Sequence, residues 1–342
     1  MPATMRSVVC EAPGRITVQE RTSAPLQPGE VKLRIRRAGI CGTDYHIYSG
    51  LHPFLTYPRV IGHELSGVIE ACPSESEWQV GQLVAVNPYI ACGTCHACRT
   101  GKPNCCMNIA VLGVHRDGGM SDFLNVPERN LIRADGLSED QAASVEFLAI
   151  GAHAVRRGSV SAGTRALVVG AGPIGIGAAI FAQIAGAKVT IVDQDPDRLA
   201  LVSSAIGIKD VIRSEDKIAS RLSDATNGDG FDVVFDATGN QASMEASFSY
   251  VAHGGVMVLV GLLKARISFD DPEFHRREMT LMASRNATQT DFDHVISAIR
   301  DGRADVDRLI THRSSLSQVC ADLPRWAKDK TGLIKAMVSF DG

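Results

Sequence analysis

Apolar residues in the first part of the chain come in short runs rich in β-branched side chains, at 31–37, 67–70 and 82–86, each bounded by Gly, Pro or Asp. Runs of this length cut by turn formers predict strands. After Gly151 the texture changes: 166–169, 188–192, 232–236 and 256–260 are compact apolar runs separated by helix-length segments. Strands alternating with helices predict a parallel, doubly wound sheet covered on both faces. From about Asn286 the pattern is mixed again, with an amphipathic stretch at 292–300 and a last strand at 336–340 that can pack back on the first part. The expectation is an α/β chain of two domains, with 1–149 β-rich, 150–285 doubly wound and 286–342 returning to the first domain. No internal repeat or low-complexity segment interrupts this pattern.

One segment runs against it. Residues 166–187 carry no charged side chain and are long enough to span a bilayer. Gly170, Gly172, Pro173, Gly175 and Gly177 fall inside it, so it reads as strand, turn and helix rather than as a membrane span. Length and composition agree: 342 residues with 45% hydrophobic and 21% charged content suffice for two packed cores. A net charge of −3 with scattered Lys and Arg gives no footprint for nucleic acid, so a small ligand is the expected partner. Residues 1–9 lack a basic start followed by an apolar run, which argues against a secretory leader and for the cytoplasm. Nine cysteines, five of them between 92 and 106, suit metal thiolates in a reducing compartment better than a disulfide framework. Cys10, Cys72 and Cys320 read as core thiols.

Leu167-Val168-Val169 runs into Gly170-Ala171-Gly172-Pro173-Ile174-Gly175 and then into an Ala-rich helix, and the next strand ends at Asp193, 23 positions after Gly170. The glycines allow a tight turn and let backbone N–H groups approach a pyrophosphate, which the helix N-terminus also favours. A carboxylate at that strand end accepts both ribose hydroxyls of NAD and repels the 2′-phosphate of NADP, with Arg198 a second group at the ribose edge. Thr238, Val260 and Gly261, at later strand ends, lie where such a sheet lines its ligand crevice. The alternative is a glycine-rich turn in a purely structural βαβ unit.

Cys92, Cys95, Cys98 and Cys106 form C-x2-C-x2-C-x7-C, enough thiolates to close a tetrahedral zinc shell of the structural kind. An iron–sulfur cluster is the competing reading, but its bacterial pattern places the fourth cysteine after three residues and before Pro, unlike Cys106-Met107. Cys105 is a rival fourth ligand. Cys41 and His63, both at predicted strand ends, form a second candidate metal site.

With these residues in view, the chain resembles the zinc-dependent medium-chain alcohol dehydrogenases, and within them the sorbitol, threonine and sugar-acid dehydrogenase branch. The matching pieces are Cys41-Gly42-Thr43-Asp44-Tyr45-His46, Gly62-His63-Glu64, the four-cysteine loop, the glycine-rich turn with Asp193, and Glu146-Phe147-Leu148 ahead of Gly151-Ala152-His153-Ala154, so the resemblance covers nearly the whole chain. It implies a GroES-like catalytic domain interrupted by a Rossmann domain, with two zinc ions per chain and NAD as cofactors. It also implies Cys41, His63 and Glu146 on a catalytic zinc, with Glu64 as the alternative oxygen ligand. The sorbitol branch has Pro after that Glu, and this chain has Phe147. Thr43 matches the hydroxyl that passes the substrate proton on to His46.

Residues His115, Arg116, Arg285 and Asn286 fall in segments that line the substrate cleft of similar enzymes, and Arg285 can pair with a carboxylate. The expected reaction is hydride transfer to NAD from a secondary alcohol of a polyol or sugar acid, such as L-galactonate, L-gulonate or L-idonate. Dehydrogenation of threonine or an amino alcohol is the alternative on the same scaffold, and a non-catalytic zinc- and NAD-binding sensor is the reading from another class. The resemblance further implies a homotetramer or homodimer.

Overall fold

Along the strand Glu30–Ile40, Val31, Leu33 and Ile35 are fully buried and alternate with more exposed neighbours, the period of two that puts one face of a strand on a core. The computed structural model describes residues 4–52 and 55–340. The outermost positions of the predicted segments 1–149 and 286–342, and part of the 1–9 stretch read for a leader, lie outside the described residues.

The chain divides into two units. One comprises the residues up to Glu146 with Thr288–Gly302 and the residues from Val306 onward, and the other comprises Phe147–Ala287 with Arg303–Asp305. In the first, a mixed sheet runs in the order Leu131–Arg133, Leu83–Val86, Glu64–Ala71, Glu30–Ile40, Lys335–Ser339 and Ile310–Ser315, with Phe123–Pro127 also pairing with Glu30–Ile40. Arg15–Thr22, Thr4–Ala12 and Arg59–Val60 make a smaller sheet. Leu33, Ile35, Leu65, Ile69 and Val84 join one core with Leu323 and Trp326 of the helix Val319–Lys328. The helix Gln289–Arg300 begins at a capping box between Thr288 and Asp291 and buries Phe292, Val295, Ile296 and Ile299, the spacing of one helical face.

Register in the mixed sheet decides what meets at one corner of it. Gly39 lies opposite Glu64 and Ile40 opposite Ala336. Cys41 follows the first strand, His63 precedes the second, and Lys335 opens the third, so three distant stretches of sequence deliver side chains to one place. Gly39 is required there, because a Cβ on it would stand 2.1 Å from Glu64 Oε2.

The second unit is the expected doubly wound sheet, all parallel, in the order Asp210–Arg213, Lys188–Asp193, Arg165–Val169, Phe231–Asp236, Val251–Leu259, Thr280–Ala283. Numbered from Arg165–Val169 this is 3-2-1-4-5-6, the order of dinucleotide-binding sheets, with its switch point between Arg165–Val169 and Phe231–Asp236. Ala166, Leu167 and Val168 are wholly buried, as strands covered on both faces must be. The uncharged stretch 166–187 divides into a strand ending at Val169 and the helix Pro173–Ile184, and no helix among the described residues is long and apolar enough to cross a membrane.

Candidate metal centres and dinucleotide crevice

Cys92, Cys95, Cys98 and Cys106 place their sulfurs within 4.8 Å of one another. Cys95 Sγ is 3.5 Å from Cys98 Sγ and 3.9 Å from Cys106 Sγ. A zinc tetrahedron with arms of about 2.3 Å has edges of about 3.8 Å, so these separations fit the ion and are far too long for disulfides. The loop supplies what thiolates need: Cys92 Sγ accepts from Cys95 N–H at 3.4 Å and Cys106 Sγ from Cys92 N–H at 3.3 Å. A hydrogen bond from the Thr94 hydroxyl, with backbone donors, pulls the Cys92 thiol down to about 5. Cys106 is buried in this group, whereas Cys105 is exposed and outside it.

The second group forms at the corner of the mixed sheet, where Cys41, His63 and Glu64 bring one donor atom each to within 4.8 Å of the others. Asp44, wholly buried, binds their two loops together. Its Oδ2 accepts from Cys41 N–H at 2.9 Å, its Oδ1 from Gly62 N–H at 3.3 Å, and its Oδ1 lies 3.9 Å from His63 Nδ1. At 3.9 Å the carboxylate acts on the imidazole by charge rather than through a hydrogen bond, and His63 Nδ1 is buried without a hydrogen-bond partner.

Glu64 and Glu146 differ in how they are satisfied. Both oxygens of Glu64 lie 2.6 Å from Lys335 Nζ, and this pair is sealed from solvent. Glu146 opens the helix Val145–Arg157 and is not within 4.8 Å of all three group members. It receives a hydrogen bond from the Tyr89 hydroxyl on Oε1, while its buried Oε2 has no hydrogen-bond partner. Burial pushes the Glu146 carboxyl up to about 7, with the charge of His63 opposing the shift and that of Glu64 adding to it. A buried carboxylate oxygen without a donor, close enough to His63 to feel its charge, is the chemistry a divalent cation completes, and with the Cys41 and His63 donors the residues fit a zinc ion. Thr43 and His46 stand three apart on the short helix Gly42–Tyr48, Thr43 half-buried and His46 exposed.

In the second unit, Gly170 has a φ of +103° and Gly172 caps the helix Pro173–Ile184, with Pro173 and Ile174 in its first turn. A Cβ on Gly175 would stand 1.8 Å from the Gly170 carbonyl oxygen, so only glycine allows this turn to close on its helix. Asp193 ends its strand with Oδ2 accepting from Ala171 N–H at 2.6 Å and Oδ1 from Asp195 N–H at 2.9 Å. Arg198 Nε lies 3.6 Å from Asp195 Oδ2.

Across the switch point, Asp236 is wholly buried and holds two loops. Its Oδ1 accepts from Thr238 N–H at 2.9 Å and from the Thr238 hydroxyl at 2.6 Å, and its Oδ2 accepts from the Ser243 and Ser247 hydroxyls at 2.8 and 3.1 Å. Its carbonyl accepts from the N–H groups of Val260 and Gly261, both at 2.9 Å. The Thr238 hydroxyl also accepts from Asn240 N–H at 3.1 Å, so its own hydrogen is committed to Asp236 and is not offered to a ligand.

The remaining sequence-based residues lie elsewhere. His115 accepts from Val111 N–H at 3.1 Å and lines a cleft whose walls include none of Cys41, His63, Glu64 or Glu146. Arg285 and Asn286 follow the strand Thr280–Ala283 in the second unit, Asn286 with a φ of +53°. His153 is buried against Arg156, with Nδ1 3.1 Å from the guanidinium. The roles of Asp44, Tyr89 and Lys335 are not signalled by the sequence, and Asp236 is signalled only as part of a segment at the crevice. Asp44 and Asp236 stood inside motifs already noted, whereas nothing around Lys335 signals its place.

Comparison with known proteins follows the same division. Residues 27–136 match the alcohol dehydrogenase GroES-like domain and residues 173–301 the zinc-binding dehydrogenase domain. The chain is 40% identical over 339 residues to an L-galactonate-5-dehydrogenase of Escherichia coli (strain K12), covering 99% of this chain and 100% of that one. It superposes with a TM-score of 0.93, at 30% identity and over 99% of this chain and 100% of the other, on rspB of E. coli CFT073, a structure described as a short chain alcohol dehydrogenase complexed with NADH. The L-idonate 5-dehydrogenase of E. coli K-12 gives a TM-score of 0.90 at 26% identity, over 99% of each chain.

Proposed function

Since the chain belongs to the family of zinc-binding alcohol dehydrogenases with a GroES-like domain, and is thereby an oxidoreductase acting on CH–OH groups, we propose that it oxidises a secondary hydroxyl of a sugar acid, an aldonate such as L-galactonate, L-gulonate or L-idonate, with NAD as acceptor. The end-to-end likeness to the L-galactonate enzyme carries the substrate class.

Cys41, His63 and Glu146 would hold a zinc ion, which when bound would supply Lewis acidity toward the alcohol oxygen, with NAD as the hydride acceptor. The chain's residues prepare and serve that chemistry. Lys335 neutralises Glu64, which leaves the unbonded Oε2 of Glu146 as the better third donor. Asp44 fixes Cys41 and the His63 loop in one arrangement, so little reorganisation remains when substrate binds. Thr43 takes the hydroxyl proton and passes it toward His46, whose exposure lets it reach water. The four-cysteine group would hold the structural zinc, its sulfurs lying within 4.8 Å of one another.

The carboxylate of Asp193, anchored at the crevice, favours NAD over NADP. Arg285 is assigned to the substrate carboxylate on its chemistry. The protein is placed in the reducing cytoplasm, which suits nine free cysteines. It is a homodimer or homotetramer in this reading, supported by the edge strand Thr280–Ala283, which pairs on one side only among the described residues and exposes Leu281.

The test is NADH formation by purified protein with a panel of aldonates, neutral polyols, L-threonine and simple alcohols, each with and without a zinc chelator. Chelator-sensitive turnover of an aldonate is the expected result. Turnover confined to neutral polyols or threonine refutes the substrate class, and silence across the panel refutes the catalytic reading for these compounds.

A further inference from the structure

The first unit contains a cleft of about 560 Å³, walled by the strands Thr4–Ala12 and Arg15–Thr22, the strand Arg59–Val60 and the segment around Arg116, apart from both metal groups. We propose that this cleft is a binding site for a small anion carrying a phosphate or carboxylate group, separate from the sites of zinc and dinucleotide.

Its wall presents three guanidiniums, Arg21, Arg59 and Arg116, against two carboxylates, Asp117 and Glu30. Asp117 is shared. Its Oδ2 accepts from Arg21 Nη1 at 2.9 Å, and its Oδ1 accepts from Arg59 Nη1 at 3.3 Å and from Val60 N–H at 3.2 Å. One carboxylate between two guanidiniums compensates one positive charge and fixes the orientation of both, leaving the other charge over. Glu30 keeps its negative charge on the same wall, its Oε2 accepting from the Gln27 N–H at 3.2 Å, so the three guanidiniums outweigh the two carboxylates by one charge.

Arg59 is the least satisfied of the three. Its side chain is 15% exposed, its Nη2 reaches the Thr56 hydroxyl at only 3.3 Å, and its buried Nε has no acceptor. A guanidinium offers five donors in a planar fork that matches carboxylate and phosphate oxygens. The Nε is closed off from the cleft, but Nη1 and Nη2, with one acceptor each at 3.3 Å, keep donor capacity for an anion bound there. Arg116, exposed at the rim, adds a third positive charge where an incoming anion first meets the protein. The volume exceeds that of a bare phosphate and leaves room for a small carbon skeleton attached to the charged group.

The experiment uses full-length, zinc-loaded protein saturated with NAD, so that the glycine-rich turn is not available to phosphate. Inorganic phosphate and succinate are titrated separately by isothermal calorimetry into the unaltered protein, Arg59→Gln and Arg21→Gln. Saturable binding of at least one probe is expected, weakened about tenfold by either substitution through loss of one charge-assisted contact. Phosphate alone binding assigns a phosphorylated ligand, and succinate alone a carboxylic acid. Arg21 is partly exposed, so Arg21→Gln decides the question if Arg59→Gln does not fold. The proposal is overturned if neither probe binds saturably, or if both substitutions leave the affinity unchanged, as they would for an anion held at the zinc or by the surface at large.

Discussion

Lys335 Nζ sits 2.6 Å from both carboxylate oxygens of Glu64, the lysine 1% and the glutamate 0% exposed at the side chain. The lysine also donates to the Ile40 carbonyl at 3.3 Å. Burial alone would depress the lysine, but the charge of Glu64 outweighs it and its pKa is raised, so the ammonium form is the one present.

Removing one partner of such a pair strands the other in the interior. Lys335→Met is expected to destabilise the protein by about 3–5 kcal/mol, and Lys335→Met with Glu64→Gln by much less. Urea denaturation of both variants measures this, and equal losses in the two would show that the pair is not coupled.

Asp44 joins the Cys41 and His63 loops through two backbone N–H groups. Asp44→Asn keeps the shape but replaces one acceptor oxygen with a donor. Affinity for the catalytic zinc is expected to fall about 10- to 100-fold, as when other supporting partners of metal ligands are lost. Competition with a chromogenic chelator reads it directly, and unchanged retention would remove Asp44 from that role.

For the zinc donors the expected readout is stoichiometry. His63→Ala and Glu146→Ala should each lower the zinc content from about two ions per chain to about one and abolish turnover while NADH still binds by fluorescence. Cys95→Ser should lose the other ion and lower thermal stability. Full metal content with normal turnover in Glu146→Ala would return the third donor role to Glu64.

Asp193 carries the coenzyme preference. Asp193→Ser removes the anion beside the ribose, and kcat/KM should shift toward NADP by at least about tenfold relative to NAD. A ratio that does not move would place discrimination elsewhere in the crevice.

Asp236→Asn leaves one acceptor oxygen for hydroxyls and an N–H that now occupy both sides of a carboxylate. The Thr238 loop and the helix at Ser243 and Ser247 lose part of their common anchor, while Val260 and Gly261 keep theirs on the main-chain carbonyl. KM for NAD should rise about tenfold with the circular dichroism spectrum unchanged, because each lost buried hydrogen bond costs about 1–3 kcal/mol. An unaltered KM alongside a lowered melting temperature would make Asp236 a stability residue only.

The sequence disclosed the fold where burial leaves a mark. Arg165–Val169 and Phe231–Asp236 are central strands and read as continuous apolar runs. Asp210–Arg213 and Thr280–Ala283 are four-residue edge strands with no residue buried, too short to stand out from the segments around them. Spacing made the four-cysteine loop legible, because its ligands lie within 15 consecutive residues, 92–106. Lys335 was illegible for the opposite reason: it meets Glu64 across 271 positions, through a strand register that periodicity does not encode. His115 was placed by the segment it belongs to, and a segment does not say into which cleft a loop side chain turns.

The first unit is interrupted by the second, and its closing strand Lys335–Ser339 pairs with Glu30–Ile40. This arrangement sets an order of assembly. The dinucleotide-binding unit is nearly one continuous run of chain and can close on local contacts, whereas the catalytic sheet lacks the two strands at one end, Ile310–Ser315 and Lys335–Ser339, until those residues arrive. During synthesis the nascent protein therefore acquires the capacity to hold coenzyme before the Lys335–Glu64 pair exists, and the corner bearing Cys41 and His63 matures last. Pulse-labelled chains should accordingly bind NADH before they retain the catalytic zinc, and the reverse order would show that the sheet closes without its last strand.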